Sequence, residues 1–178
     1  MTTASHSLTQ PLDPFYGHED ASRMAAAYVV HLFGRNARAA TATPSEPAEP
    51  PAPHFAKFIA FILHGTRPVV LTTALLFLLR LKARYPNSHL QYRQSRHRLF
   101  FAAYVIASNE IYDDADCIST WHPLGQGLFG GEEIRMMVRE MCQYLNWDLR
   151  RDADELDELC SRLHFFLPAA RRARGLNV

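Results

Sequence analysis

The chain has 178 residues, 48% of them hydrophobic and 21% charged, which suits one soluble domain with a real apolar core plus flanking segments. A net charge of +1 gives no reason to expect a nucleic-acid or membrane-surface partner. The three cysteines, Cys117, Cys142 and Cys160, are an odd count without CxxC spacing, so reduced, half-buried thiols are expected rather than a disulfide framework. The longest apolar run, Val69 to Leu79, is interrupted by Thr72 and Thr73 and falls short of the ~20 residues that a bilayer needs. The start, MTTASHSLTQPLDP, carries no basic-then-apolar signal pattern, and secretion is not expected.

In chain order, residues 1–18 are polar and predict a disordered tail. Residues 19–34 predict an amphipathic helix. Ala21, Met24, Ala25, Tyr28, Val29 and Leu32 recur along one face, with Asp20 as N-cap and Gly34 as stop. This face is expected to pack against the rest of the chain, because an exposed stripe of that size invites aggregation. Residues 35–53 hold five of the eleven prolines and no large apolar side chain, the composition of a linker. From residue 54 every strong signal is helical. Phe55, Phe58, Ile59 and Ile62 form a stripe ending at Gly65, and Pro68 opens a helix with Leu71, Ala74, Leu75 and Leu78 on its face. Pro86 and Asn87 mark a turn.

A further helix is expected over His97 to Tyr112, and it differs from the others. Leu99 through Ala107 are apolar all round, so this helix belongs in the middle of a bundle, with Ala103 and Ala107 allowing close approach. Glu132 to Asn146 predicts a helix with Ile134, Met137, Val138, Met141 and Leu145 on its apolar face. A C-terminal helix over residues 151–167 opens with Asp152 at the cap and Glu155 three residues on, and carries Leu156, Leu159, Cys160 and Leu163. Residues 168–178 form a basic tail. No segment alternates with period two, so the fold class is all-α, a helical bundle around a central apolar helix.

The stretches TTALLFLLRLKARYP (72–86), HRLFFAAYVIAS (97–108), YDDADCISTW (112–121) and EIRMMVREMCQYLNWDL (133–149), in this order and spacing, resemble a cyclin box. The wording is most similar to the fungal cyclins that partner the phosphate-pathway kinase. The resemblance implies a single cyclin-like box over residues 54–150, with too little chain after Arg150 for a second one. It implies a non-catalytic subunit that forms a heterodimer with a cyclin-dependent protein kinase and activates it, in nucleus, cytoplasm or both. It needs no cofactor. The partner surface implied runs from Asn109, Glu110, Asp113 and Asp114 to Val138. Two departures stand out. In cyclins a Lys ordinarily stands where this chain has Asn109, and a Glu where it has Val138. The two form a charged pair at the kinase interface. Their joint absence leaves open a weakened box or a degenerate one that serves as a scaffold. Val138 also suits plain core.

Other patterns carry less. Asp113, Asp114 and Asp116 could ligate Mg²⁺ in an all-α metal-dependent enzyme, but no second acidic set faces them in the sequence, and no metal site is expected. Gly125 to Gly130 matches GxGxxG literally, yet no strand signal precedes it and Glu132 and Glu133 would repel a pyrophosphate. The nine histidines lack the paired spacing of structural zinc.

Overall fold

A computed structural model gives the fold over residues 13–34, 53–88, 93–112 and 118–167. Seven α-helices follow one another among these residues. They are α1 (Glu19–Phe33), α2 (Pro53–Leu63), α3 (Pro68–Arg84), α4 (Arg93–Ile111), α5 (Ile118–Leu124), α6 (Gly131–Tyr144) and α7 (Ala153–Leu163). A 3₁₀ turn, His164–Phe166, continues α7. No strand occurs among the described residues, in agreement with the all-α class.

Helix α4 is the middle of the bundle. Phe100 through Ser108 are all buried, a run that no surface helix can sustain. Around it pack α2, α3 and α6. Phe101 stacks on Phe129 at 5.5 Å, and Tyr104 meets Trp121 edge-on at 6.5 Å. The Tyr104 hydroxyl donates to the Ile62 carbonyl at 3.2 Å, so even the polar tip of this core ring is satisfied. Helix α3 is buried more completely than its expected stripe. Leu76 and Phe77 join Leu75 and Leu78 in the core, because α1, α4 and α7 all pack on α3.

The punctuation follows local chemistry. Pro68 sits in the first turn of α3, where its missing N–H costs nothing. Asp152 caps α7, its Oδ1 accepting from the N–H groups of Asp154 and Glu155 at 2.9 and 3.3 Å. Arg80 of α3 fixes the segment between α6 and α7. It donates to the carbonyls of Asp148 and Arg150 at 3.3 and 2.7 Å and pairs with Glu155.

Several expectations are corrected. Residues 13–18 are not part of a disordered tail. The Asp13 carboxylate accepts from the N–H groups of Phe15 and Gly17 at 2.9 and 2.7 Å, closing a turn that sinks Phe15 into the core. Those two bonds hold the Asp13 carboxyl below the usual range. The N-cap of α1 is His18 rather than Asp20, since the Ser22 N–H already bonds the His18 carbonyl at 2.9 Å. Helix α4 begins at Arg93, four residues before His97, where polar helix formers leave no apolar stripe to read. Helix α5 adds an element that the sequence does not announce, because Pro123 and its seven-residue length hide it. Cys142 is buried and Cys160 exposed, so both are free thiols but neither is half-buried as expected. Cys117, the tails 1–12 and 168–178 and the linker residues 35–52 lie outside the described residues.

Two consequences of the core are measurable. Burial pushes the Tyr104 phenol up to about 12, with the Thr66 hydroxyl pulling it back and Tyr112 adding to the rise. The unfolded phenol titrates near 10, so this contribution is fully present below pH ~10 and is lost as pH climbs to ~12, about 2–3 kcal/mol in all. Urea unfolding between pH 9 and 12 should therefore show a steeper alkaline loss in the native chain than in Tyr104→Phe. The second consequence concerns Thr73, which is fully buried in α3 with its hydroxyl unpartnered. Thr73→Val keeps the shape and removes the unsatisfied group, and should raise stability by about 1–2 kcal/mol. A destabilised variant in thermal melts would contradict it.

Candidate functional site

The C-terminal end of α4 is where the buried helix surfaces. Ala107 and Ser108 are buried, and Asn109 and Glu110 immediately after them are exposed. The end is held firmly. The Tyr112 hydroxyl accepts from the Arg67 N–H at 3.3 Å, tying it to the turn before α3. Tyr112 and Ile111 pack against the core.

Helix α6 packs beside α4, led by the buried side chains Ile134, Met137 and Met141. Burial pushes the Cys142 thiol up, and the Glu110 carboxylate is close enough to push it further. Val138 stands one turn before Cys142 on the same side of α6, half-buried against the core. Glu110 ends α4, the helix on which α6 and its Val138 pack. Asn109 lies next to Glu110 on the exposed end of α4. Asp113 and Asp114 lie outside the described residues.

Val138 is neither wholly core nor wholly surface, which is the position expected of a side chain at the edge of a contact patch. Around it α6 exposes Arg135, Met136, Arg139 and Glu140. Met136, 51% exposed, was missed from the sequence because it falls off the apolar stripe. Its exposed thioether lies two residues from Val138, on a different face of α6. The α3 and α6 ends add a second missed feature, Tyr85 against Tyr144 at 5.6 Å, both exposed. The surface has the chemistry of recognition: an amide, a carboxylate and apolar contacts on a fixed frame.

The candidates for metal chemistry, Asp113, Asp114 and Asp116, lie outside the described residues. Among the described residues no group of three His, Cys, Asp or Glu side chains is placed to hold a metal ion. The GxGxxG run links α5 to α6, with Gln126 and Gly127 at positive φ and no strand before it among the described residues. The start of α6 is already engaged. Glu133 accepts from the Gly130 N–H at 3.4 Å and from the Arg98 guanidinium. No helix among the described residues is long and apolar enough to cross a membrane.

A helical bundle wrapped on a buried helix whose end emerges beside a second, amphipathic helix is consistent with an all-α cyclin-like box. Sequence comparison gives this class a closer relation. The chain is 33% identical to PHO85 cyclin-1 of Saccharomyces cerevisiae over 86 residues, covering 48% of this chain and 31% of that protein. It is 28% identical to PHO85 cyclin-9 and 26% identical to PHO85 cyclin-2 of the same organism, each over 89 residues, 50% of this chain and 29% of theirs. Over about half its length the chain is thus similar to fungal PHO85 cyclins. The matched stretches span about a third of the length of these relatives. No family model and no solved structure matches the chain.

Proposed function

We propose that the protein is a regulatory subunit of a cyclin-dependent kinase, without catalytic activity of its own, acting as a heterodimer with that kinase in nucleus, cytoplasm or both. The observation that carries this reading is the junction of α4 and α6. Buried side chains fix it from below, while Asn109 and Glu110 are exposed and Val138 half-exposed above. The likeness to proteins named as cyclins of the PHO85 kinase supports it. In mechanism the box works as a rigid block. If it binds a kinase's active arrangement more tightly than the inactive one, the population moves towards activity by that difference in affinity. Asp113 and Asp114, next along the chain from the end of α4, would extend the contact.

A second reading, a degenerate box that binds without activating, is favoured by one feature. Asn109 and Val138 offer neither charge of the pair that the cyclin resemblance implies. Purification from its own cells followed by mass spectrometry tests the first reading. A stoichiometric cyclin-dependent kinase is expected, and its absence would overturn the proposal. Assaying that kinase with and without saturating chain separates the two, since a scaffold leaves its rate unchanged.

A further inference from the structure

We propose that the cavity between α1, α3 and the end of α7 is a docking site for an extended partner segment that carries an apolar side chain beside a carboxylate. None of its lining residues belongs to α4 or α6, so the inference stands independently of the kinase reading.

The cavity measures about 370 Å³ and is open to solvent, at the small end of the range of ligand pockets. Leu32, Leu79 and Phe166 give it apolar walls. Phe166 is itself braced edge-on by Tyr28 at 5.2 Å and by His31 at 5.3 Å. At the lip Phe165 is 83% exposed, the most exposed large apolar side chain among the described residues. An aromatic ring left in water beside a preformed apolar cavity is the arrangement of an anchor awaiting a partner.

The polar groups specify the sign of the ligand. Tyr28 lines the cavity, is only 2% exposed, and its hydroxyl has no hydrogen-bond partner. A buried donor without an acceptor is unfavourable until an acceptor arrives. The Arg162 guanidinium is near enough to draw the Tyr28 phenol down against the rise that burial causes. Arg162 meets Glu158 at 3.2 Å with both side chains more than half exposed, a pair that holds weakly and leaves most of the guanidinium donors free. Among the described residues no carboxylate lines the cavity itself, and Glu158 stands beside it on Arg162. A ligand carboxylate would pair with the Arg162 charge and accept from the Tyr28 hydroxyl, whereas a cation would be repelled by Arg162. Charge also argues against the chain's own C-terminal segment as occupant. It begins just beyond Phe166 and carries Arg171, Arg172 and Arg174 with no acidic residue.

The test titrates the ¹⁵N-labelled full chain with the peptide Ac-AEFEA-NH₂ and with its neutral counterpart Ac-AQFQA-NH₂. Saturable shifts are expected at the amides of Leu32, Leu79 and Phe165, with the neutral peptide binding about tenfold more weakly. Arg162→Ala, at an exposed side chain that folding does not need, should abolish the difference between the two peptides. Tyr28→Phe keeps the ring against Phe166 and should weaken both peptides, since a glutamine carbonyl accepts from the phenol as a carboxylate does. Absence of saturable shifts at millimolar peptide, equal binding of both peptides, or a difference that survives Arg162→Ala would each overturn the proposal. So would shifts at Phe165 that depend on protein concentration without peptide, since they would make a second copy the occupant.

Discussion

Phe101→Ala is expected to lower the stability of the folded chain by about 3–5 kcal/mol, the cost of emptying a fully packed aromatic position. Phe101 is 0% exposed on the buried run of α4. Its ring lies between Phe129 at 5.5 Å and Phe58 at 6.1 Å, so deletion opens a hole shared by α2, α4 and the α5–α6 connection. Those walls belong to three separate elements, each held elsewhere, and cannot close together on the gap. A domain of this size has only about 5–15 kcal/mol in hand, so the variant should lie near the edge of folding. Urea denaturation reads the effect as a fall in midpoint with an unchanged slope. A loss under about 1 kcal/mol would mean that α4 is not the helix around which the bundle is built.

The largest expected effect on binding comes from the double variant Asn109→Lys with Val138→Glu. Each charge alone is expected to weaken binding to the co-purified kinase, because one member of an interfacial charge pair without the other is left uncompensated, at about 2–5 kcal/mol. Together they restore the pair and should tighten the complex at least about tenfold, or ~1.4 kcal/mol. The signature is therefore non-additivity of opposite sign, single variants weaker and the double stronger. Asn109 is exposed and takes Lys without loss of packing, whereas Val138 is half-buried against the core, so Glu there costs some folding stability. Melting curves of the free variants separate that cost from binding. A double variant that binds no better than the native chain would favour the scaffold reading.

What the sequence made legible follows from where the physics is local. An all-apolar helix can only be central, and Phe100 through Ser108 are indeed buried. Caps and stops such as Asp152, Pro68 and Gly34 act within a few residues, and they fall where spacing put them. The errors arise where tertiary contact overrides the local signal. Leu76 and Phe77 lie off the predicted stripe of α3 but are buried because helices cover α3 on several sides. Phe15 reads as part of a polar tail, and only the two bonds of Asp13 show why it turns inward. Helix α5 is held by Trp121 in the core rather than by propensity, so Pro123 concealed it. The exposure of Asn109 and Glu110 could be read from the end of the apolar run. The place of Val138 could not, because an amphipathic stripe does not say which of its members lies at the edge. The cavity beneath Phe165 was also beyond reach, since Tyr28, Leu79 and Arg162 come from three distant parts of the chain.

Hydrogen exchange of the chain, free and saturated with its co-purified kinase, addresses the central claim most directly. The account predicts new protection concentrated at the end of α4, around residues 109–112, and along α6, around residues 135–139. The buried middle of α4 should exchange slowly in both states. Protection confined to α1 and α7, with the α4–α6 junction unchanged, would contradict it.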